Sequence, residues 1–138
     1  MNTLPHFIII DDDKLNNKIC TVTLEKISKD ADIKTFTDPE AGFNYIVSEY
    51  SNTYNDKPTV LLLDLAMPGM DGWEFLHRFD ELDAAIKQQI KIFILSSSED
   101  KRDMEKAHAN ANVIEYLIKP LNKHTVELIT SWAGKGEI

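Results

Sequence analysis

Five short segments, four of them mainly apolar and each followed by a longer segment with helical character, constrain the fold of this chain more than any other feature. The first run, 7–10, and the third, 60–63, stop directly at aspartates. Continuous aliphatic runs of this length are typical of strands buried on both faces, as in parallel sheets. We therefore predict strands at Phe7–Ile10, Ile33–Phe36, Val60–Leu63, Ile92–Leu95 and Val113–Ile118.

The segments that follow these runs carry helix signals. Thr37 and Glu40 have the spacing of a capping box, in which the threonine closes the first turn of a helix. Ser97 and Asp100 similarly predict a capped start further along the chain. Helices are expected at Leu15–Lys29, from Thr37 to Tyr50, from Trp73 through Phe79, and at Ser97–Asn110 and Lys123–Trp132.

This alternation predicts an α/β fold in which a parallel sheet carries helices on both faces. Right-handed crossovers restrict the chain to a few doubly wound arrangements, among them the strand order 2-1-3-4-5. The 138 residues fit a single domain, 1–138, with its core at about 6–132. In the first helix an imperfect stripe at a 3-to-4 spacing is expected to form the packed face: Ile19, Val22 or Thr23, Lys26 and Ile27.

Composition excludes several classes of function. The 23 acidic residues outnumber the 15 basic ones, and the formal charge of −8 argues against direct nucleic-acid binding. No apolar run approaches the roughly 18 residues that would insert into a membrane, and residues 1–6 lack a signal-peptide pattern. The single cysteine, Cys20, cannot form an internal disulfide, so we expect a cytoplasmic protein in which this thiol is a buried hydrophobe.

Polar side chains stand at the carboxyl ends of four predicted strands. Asp11 and Asp12 follow the first strand, Asp64 follows the third, and Ser96 and Lys119 follow the fourth and fifth. In the order 2-1-3-4-5, the first and third strands are neighbours at the switch point where such sheets bind ligands. We therefore expect these five side chains to converge on one site.

The three carboxylates of this site require a cation or protons, because they repel each other at short range. Oxygen ligands without sulfur or imidazole favour Mg²⁺ over zinc. A carboxylate beside Mg²⁺ can attack phosphorus, while an ammonium group and a hydroxyl stabilise the charge of the transferred group. With Lys119 and Ser96 present, the set is chemically complete for phosphorylation of Asp64.

Across about Phe7–Trp132 the chain resembles the receiver domain of bacterial two-component response regulators. Four motifs carry the resemblance, and they occur in order, each at the end of a predicted strand. Any one of them alone is weak, whereas the four together are highly specific. The motifs are Ile8–Asp12, Leu63–Gly72, Leu95–Ser97 and Tyr116–Pro120.

The resemblance implies a flavodoxin-like, three-layer α/β/α fold of five strand–helix units. It also implies phosphoryl transfer to Asp64 from a sensor histidine kinase or a histidine phosphotransfer protein. Asp12 and Asp64 would bind Mg²⁺ through their side chains, Asp11 mainly through a bound water, and Ala66 through its backbone carbonyl. Such a protein is not an enzyme acting on other substrates, since it catalyses only its own phosphoryl transfer and dephosphorylation.

The resemblance further implies a conformational switch. Ser96 and Lys119 would contact the phosphoryl group, and Tyr116 would move inward when Ser96 turns toward the phosphate. The change would alter the face formed by the fourth predicted helix, the fifth strand and the last helix, and with it the affinity for an unknown downstream protein. A cis peptide bond is expected at Lys119–Pro120.

Two other functions stay open on the residues alone. A haloacid-dehalogenase-like phosphatase also uses a strand-end aspartate with Mg²⁺, and Asp11-Asp12-Asp13 contains its Asp-x-Asp pattern. However, Leu15 stands where that family has a threonine, and no paired acidic motif follows Lys119. A pseudo-receiver would bind partners without carrying phosphate. Whether the chain stands alone or is part of a longer protein is also open.

Overall fold

Five parallel strands form one sheet in the computed structural model, which describes residues 6–27, 29–51 and 58–135. The strands are ordered β2-β1-β3-β4-β5, which confirms the predicted doubly wound topology. Each predicted strand is present, and four of the five are one to three residues longer than predicted. Most of the segment 51–58, whose polar composition indicates a loop, lies outside the described residues. The strands are β1 (His6–Ile10), β2 (Asp32–Phe36), β3 (Thr59–Leu63), β4 (Ile90–Ser96) and β5 (Val113–Ile118).

Six helices connect and follow these strands in the described part of the chain. The single turn α4 was not predicted, because four residues are too few to show a helical period. Among the residues described, no helix has the length and apolar character needed to cross a membrane. The helices are α1 (Lys14–Ile27), α2 (Pro39–Tyr50), α3 (Gly72–Asp80), α4 (Ala84–Lys87), α5 (Lys101–His108) and α6 (Lys123–Lys135).

Two predicted helix caps were wrong. The N-cap of α2 is Asp38 and not Thr37, and its carboxylate accepts a hydrogen bond of 3.1 Å from the backbone N–H two residues on. The N-cap of α5 is Asp100 and not Ser97, with an equivalent bond of 2.8 Å. A carboxylate is favoured over a hydroxyl at these positions because its charge also interacts with the positive end of the helix dipole.

The sheet is buried on both faces, which confirms the predicted three layers. Along β1, Ile8 and Ile10 point into the layer that holds α2, α3 and α5, whereas Phe7 and Ile9 point into the layer that holds α1 and α6. Alternation along a strand sends successive side chains to opposite faces, so an entirely apolar run is buried throughout. In β1 and β3 the apolar run therefore ends directly at a polar residue, whereas the edge strand β2 carries exposed polar residues along its length.

The buried face of α1 differs from the predicted one. Ile19, Val22 and Ile27 are 37%, 38% and 40% exposed, so the predicted stripe does not face the sheet. Two asparagines take its place because their amides donate hydrogen bonds to the residue that follows β1. The prediction for Cys20 is confirmed, since its side chain is fully buried. The buried residues of α1 are Asn16, Asn17, Cys20 and Leu24.

Candidate functional site

The carboxyl edge of the sheet brings the strand-end aspartates together. Ile10 of β1 pairs with Leu63 of β3, so the next residues, Asp11 and Asp64, lie side by side. One carboxylate oxygen from each of Asp11, Asp12 and Asp64 lies within 4.8 Å of the other two. Asp11 and Asp64 are buried and Asp12 is exposed, so the cluster has one open side.

Lys119 reaches the same cluster from the end of β5. Its Nζ atom lies 2.7 Å from Asp11 Oδ2 and 3.3 Å from Asp64 Oδ1. Its backbone N–H donates to the carbonyl of Ser96, and its peptide bond to Pro120 is cis, as expected. The ammonium group therefore offsets the negative charge of two buried carboxylates.

Burial and charge shift the pKa values of both partners. Burial, and then the negative charge of Asp11, raise the pKa of Asp64 above its usual range, while Lys119 opposes the rise. Burial lowers the pKa of Lys119, but its hydrogen bonds to Asp11 and Asp64 and their charges outweigh this effect and raise the pKa overall. The lysine therefore stays charged at neutral pH, and Asp64 carries an unfavourable charge beside it.

The carboxylate of Asp11 is held by residues of α1 and its N-terminus. Its Oδ1 accepts a hydrogen bond of 2.9 Å from the backbone N–H of Asp13, and its Oδ2 accepts one of 2.7 Å from the Asn16 amide. The amide of Asn17 donates to the backbone carbonyl of Asp11 at 3.0 Å. Sequence reasoning missed both asparagines, although two consecutive amides one turn beyond an acidic cluster were a visible signal. Asp13 caps α1, because its carboxylate accepts a hydrogen bond of 2.9 Å from the Leu15 N–H.

The segment after β3 folds tightly against the start of α3. The backbone N–H of Gly72 donates to the carbonyl of Leu65 at 2.9 Å. A Cβ atom on Gly72 would lie 2.5 Å from the backbone oxygen of Asp64, so the close approach requires glycine here. Asp71 caps α3, because its carboxylate accepts a hydrogen bond from the Glu74 N–H. Ala66, the predicted carbonyl ligand, is exposed in this segment.

Ser96 and Tyr116 meet through the backbone of the loop between β4 and α5. The hydroxyl of Ser96 accepts a hydrogen bond of 3.0 Å from the N–H of Ser98, and the hydroxyl of Tyr116 donates to the carbonyl of Ser98 at 2.9 Å. The hydroxyl of Ser98 in turn donates to Asp103 of α5 at 2.8 Å. Ser98 thus hydrogen-bonds to both predicted switch residues, and their role in switching stays a prediction.

A doubly wound parallel sheet with an acidic cluster and a lysine at its carboxyl edge defines a receiver-type signalling module. The family model described as the response regulator receiver domain matches residues 7–130. The chain belongs to this family of two-component signalling proteins.

Individual relatives agree with this assignment. The chain is 27% identical over 132 residues to a probable methanogenesis regulatory protein, FilR2, of Methanothrix harundinacea, covering 92% of this chain and 83% of that protein. It resembles the crystal structure of a response regulator receiver protein from Dyadobacter fermentans, with 32% identity, a TM-score of 0.79 and coverage of 92% and 96%. It also resembles a two-component response regulator from Cytophaga hutchinsonii, with 26% identity, a TM-score of 0.86 and coverage of 96% and 98%.

Receiver domains bind Mg²⁺ at an acidic pocket, and the residues present fit that ion. The cluster offers one oxygen from each of Asp11, Asp12 and Asp64, within a spread that one ion can bridge. Mg²⁺ prefers oxygen ligands and retains several waters, which suits a cluster open to solvent at Asp12. The prediction of an oxygen-only site is consistent with this arrangement.

Proposed function

We propose that this chain is a phosphorylation-switched receiver that accepts a phosphoryl group on Asp64 in a two-component phosphorelay. The observation that carries the proposal is the contact of Lys119 with both Asp11 and Asp64, beside the exposed carboxylate of Asp12. A nucleophilic carboxylate, a cluster that fits a divalent cation and a fixed ammonium group are together what phosphoryl transfer requires. The donor is a phosphohistidine on a sensor histidine kinase or a histidine phosphotransfer protein.

In the proposed reaction, a carboxylate oxygen of Asp64 attacks phosphorus as the phosphorus–nitrogen bond of the phosphohistidine breaks. The bonding electron pair goes to the imidazole nitrogen, and the product on this chain is an acyl phosphate. Asp12 and Asp64, the carbonyl of Ala66 and a water held by Asp11 would bind Mg²⁺, whose charge offsets that of the phosphoryl oxygens. Burial of Asp64 excludes bulk water from its carboxylate and strengthens these interactions.

Two further residues complete the proposed transfer and convert it into a signal. Lys119 pairs with a phosphoryl oxygen, and the hydroxyl of Ser96 leaves the N–H of Ser98 to donate to another. Ser96 and Tyr116 are both hydrogen-bonded to the backbone of Ser98. Movement of Ser96 is therefore transmitted through Ser98 and Tyr116 to the face formed by α5, β5 and α6. A downstream protein that binds the two states of this face unequally reads the signal.

We also propose where this receiver acts and what it contacts. Residues 1–138 form one receiver domain with its core at about 6–132, and it acts in the cytoplasm. It turns over no external substrate and contacts its kinase and downstream partner through protein surfaces. The formal charge of −8 supports signalling without direct binding to nucleic acid.

The test is phosphorylation of the purified protein by a small phosphoramidate donor with Mg²⁺, followed by mass spectrometry. We expect the mass of one added phosphoryl group, lost when Mg²⁺ is omitted and lost in Asp64→Asn. The matched control is Asp71→Asn, in the same segment, which should be phosphorylated normally because Asp71 caps α3. A modification that persists in Asp64→Asn, or none in the wild-type protein, would contradict the proposal.

A further inference from the structure

We infer that Asn16 is a positioning residue of this site. It holds the carboxylate of Asp11 in place when Lys119 leaves that carboxylate for the phosphoryl group. The inference rests on the proposed function, and it assigns a role to a residue that no motif of the family resemblance includes.

The geometry places two donors on one oxygen of Asp11. Oδ2 lies 2.7 Å from the amide nitrogen of Asn16 and 2.7 Å from Nζ of Lys119. The other oxygen accepts the backbone N–H of Asp13. The carboxylate of Asp11 thus has two donors fixed by α1 and its N-terminus, and one donor, Lys119, on a flexible side chain.

Burial of Asn16 leaves its amide few hydrogen-bond partners other than Asp11. Asn16 is 6% exposed on the face of α1 that packs against the sheet, where an apolar residue would ordinarily stand. Its amide nitrogen also lies 3.7 Å from the sulfur of Cys20, but burial, and then the charge of Asp11, raise the pKa of that thiol to about 12. The thiol is therefore neutral, and Asp11 is the charged acceptor of the Asn16 amide, which makes this the stronger hydrogen bond.

The proposed transfer makes this hydrogen bond important. Lys119 is shared between Asp11 and Asp64 before the reaction, and it must turn toward the phosphoryl oxygens during it. A buried carboxylate that loses a donor is destabilised unless another donor stays in place. Asn16 stays because its position is fixed by α1, so Asp11 keeps its orientation toward the water that would link it to Mg²⁺. Without Asn16, Asp11 would hold Lys119 more tightly and would be less well oriented.

The experiment compares Asn16→Leu, which keeps the size of the side chain and removes the donor, with Cys20→Ala. The control removes buried volume one turn further along the same face and leaves the Asn16–Asp11 hydrogen bond intact. Mg²⁺ affinity is measured by calorimetry on each folded protein, and the maximal phosphorylation rate is measured at saturating Mg²⁺. We expect about a 10-fold loss of Mg²⁺ affinity and a lower maximal rate in Asn16→Leu, as is typical when a partner of a metal-binding carboxylate is removed. Cys20→Ala should lose stability and keep both values.

Wild-type Mg²⁺ affinity in folded Asn16→Leu would overturn the inference and leave the proposed function intact. If the wild-type protein bound no Mg²⁺, both the inference about Asn16 and the proposed function would be wrong. An equal loss of affinity in Cys20→Ala would show that packing of α1, and not the hydrogen bond, controls the site, and this too would overturn the inference. If Asn16→Leu does not fold, Asn16→Met, whose flexible side chain adapts to the buried position, is measured with the same expected losses.

Discussion

The buried carboxylate of Asp64 destabilises the folded protein when it is ionised. Burial and the charge of Asp11 raise its pKa, and Lys119 compensates in part. A raised pKa means that the folded protein binds the proton more tightly than the unfolded chain does. Stability from this group is therefore fully present below the ordinary aspartate pKa and is lost as the pH rises through the folded pKa. At neutral pH without metal, the ionised carboxylate of Asp64 therefore works against folding.

Asp64→Asn should therefore stabilise the metal-free protein at pH 7, because the amide carries no charge to bury. The gain in unfolding free energy should shrink as the pH falls through the folded pKa and disappear below about 3.9, the ordinary aspartate pKa, where the wild-type carboxyl is protonated in both states. Urea denaturation across this range measures the difference.

The control is the exposed cap variant Asp71→Asn, which should change stability little because asparagine caps a helix about as well as aspartate. A loss of stability in Asp64→Asn at pH 7 would show that the contact with Lys119 outweighs the cost of burial.

Site residues at the ends of strands could be predicted from the sequence. A site residue on a helix could not, because its position depends on which face of the helix is buried. Asp11, Asp64 and Lys119 were expected to converge because the carboxyl ends of parallel strands share one edge, and the structure brings them together. Asn16 was not expected, because its helix was aligned by an apolar stripe that the structure leaves exposed. Apolar periodicity cannot report a helix face that is selected by hydrogen bonds to a neighbouring carboxylate.

At the scale of elements, the connection between β3 and α3 shapes the site. Gly69 has a φ of 81°, in the left-handed region that favours glycine. Gly72 begins α3 directly behind Asp64, and an added Cβ would lie 2.5 Å from the Asp64 carbonyl oxygen and 2.8 Å from the Leu65 Cα. Backbone atoms cannot move aside as a side chain can, so the start of α3 fixes the position of the Asp64 backbone.

Gly72→Ala should cost about 1–3 kcal/mol of unfolding free energy, as is usual for overpacking. It should also slow phosphorylation of Asp64, because the backbone that carries the acceptor must shift. Thermal denaturation and the phosphoramidate rate measure the two effects.

Gly42→Ala is the matched control for this prediction. Its added Cβ would lie 2.6 Å from Ile10 Cδ1, the far end of a flexible side chain, and alanine favours the helix by about 1 kcal/mol. We expect a smaller loss of stability there and a normal phosphorylation rate. Equal rates in both variants would show that the position of α3 does not control the acceptor.

Element boundaries were the part of the fold that the sequence predicted least well. Strands were recognised because apolar runs buried on both faces end sharply at polar residues. The caps of α2 and α5 were placed on hydroxyl residues, whereas Asp38 and Asp100, the stronger acceptors, lie closer to the helices. The turn α4 has too few residues to show any period.

The whole molecule assembles its site from residues far apart in the sequence, between Asp11 and Lys119. Unfolding disperses the three carboxylates, so a cation that binds the cluster binds the folded protein far better than the unfolded chain. Ligands of this kind stabilise a fold by mass action. The cluster of Asp11, Asp12 and Asp64 should therefore make the unfolding free energy of the protein depend on the Mg²⁺ concentration.

We expect Mg²⁺ at 100 times its dissociation constant to add about 2.7 kcal/mol to the unfolding free energy. Asp12→Asn should lose most of this increment while folding normally without metal, because Asp12 is exposed. Denaturant titrations with MgCl₂, and with NaCl at matched ionic strength, separate binding from screening. The same increment with NaCl would contradict a specific site.

The order of the strands also has a consequence for protein synthesis. Asp11 and Asp64 leave the ribosome well before Lys119, and β4 is complete before β5 exists to pair with it. Until residue 119 emerges, the two buried aspartates have no ammonium group between them, and α6 has not yet been made. If the proposed function holds, a nascent chain cannot accept a phosphoryl group early, because Lys119 follows β5, the last strand that the structure describes.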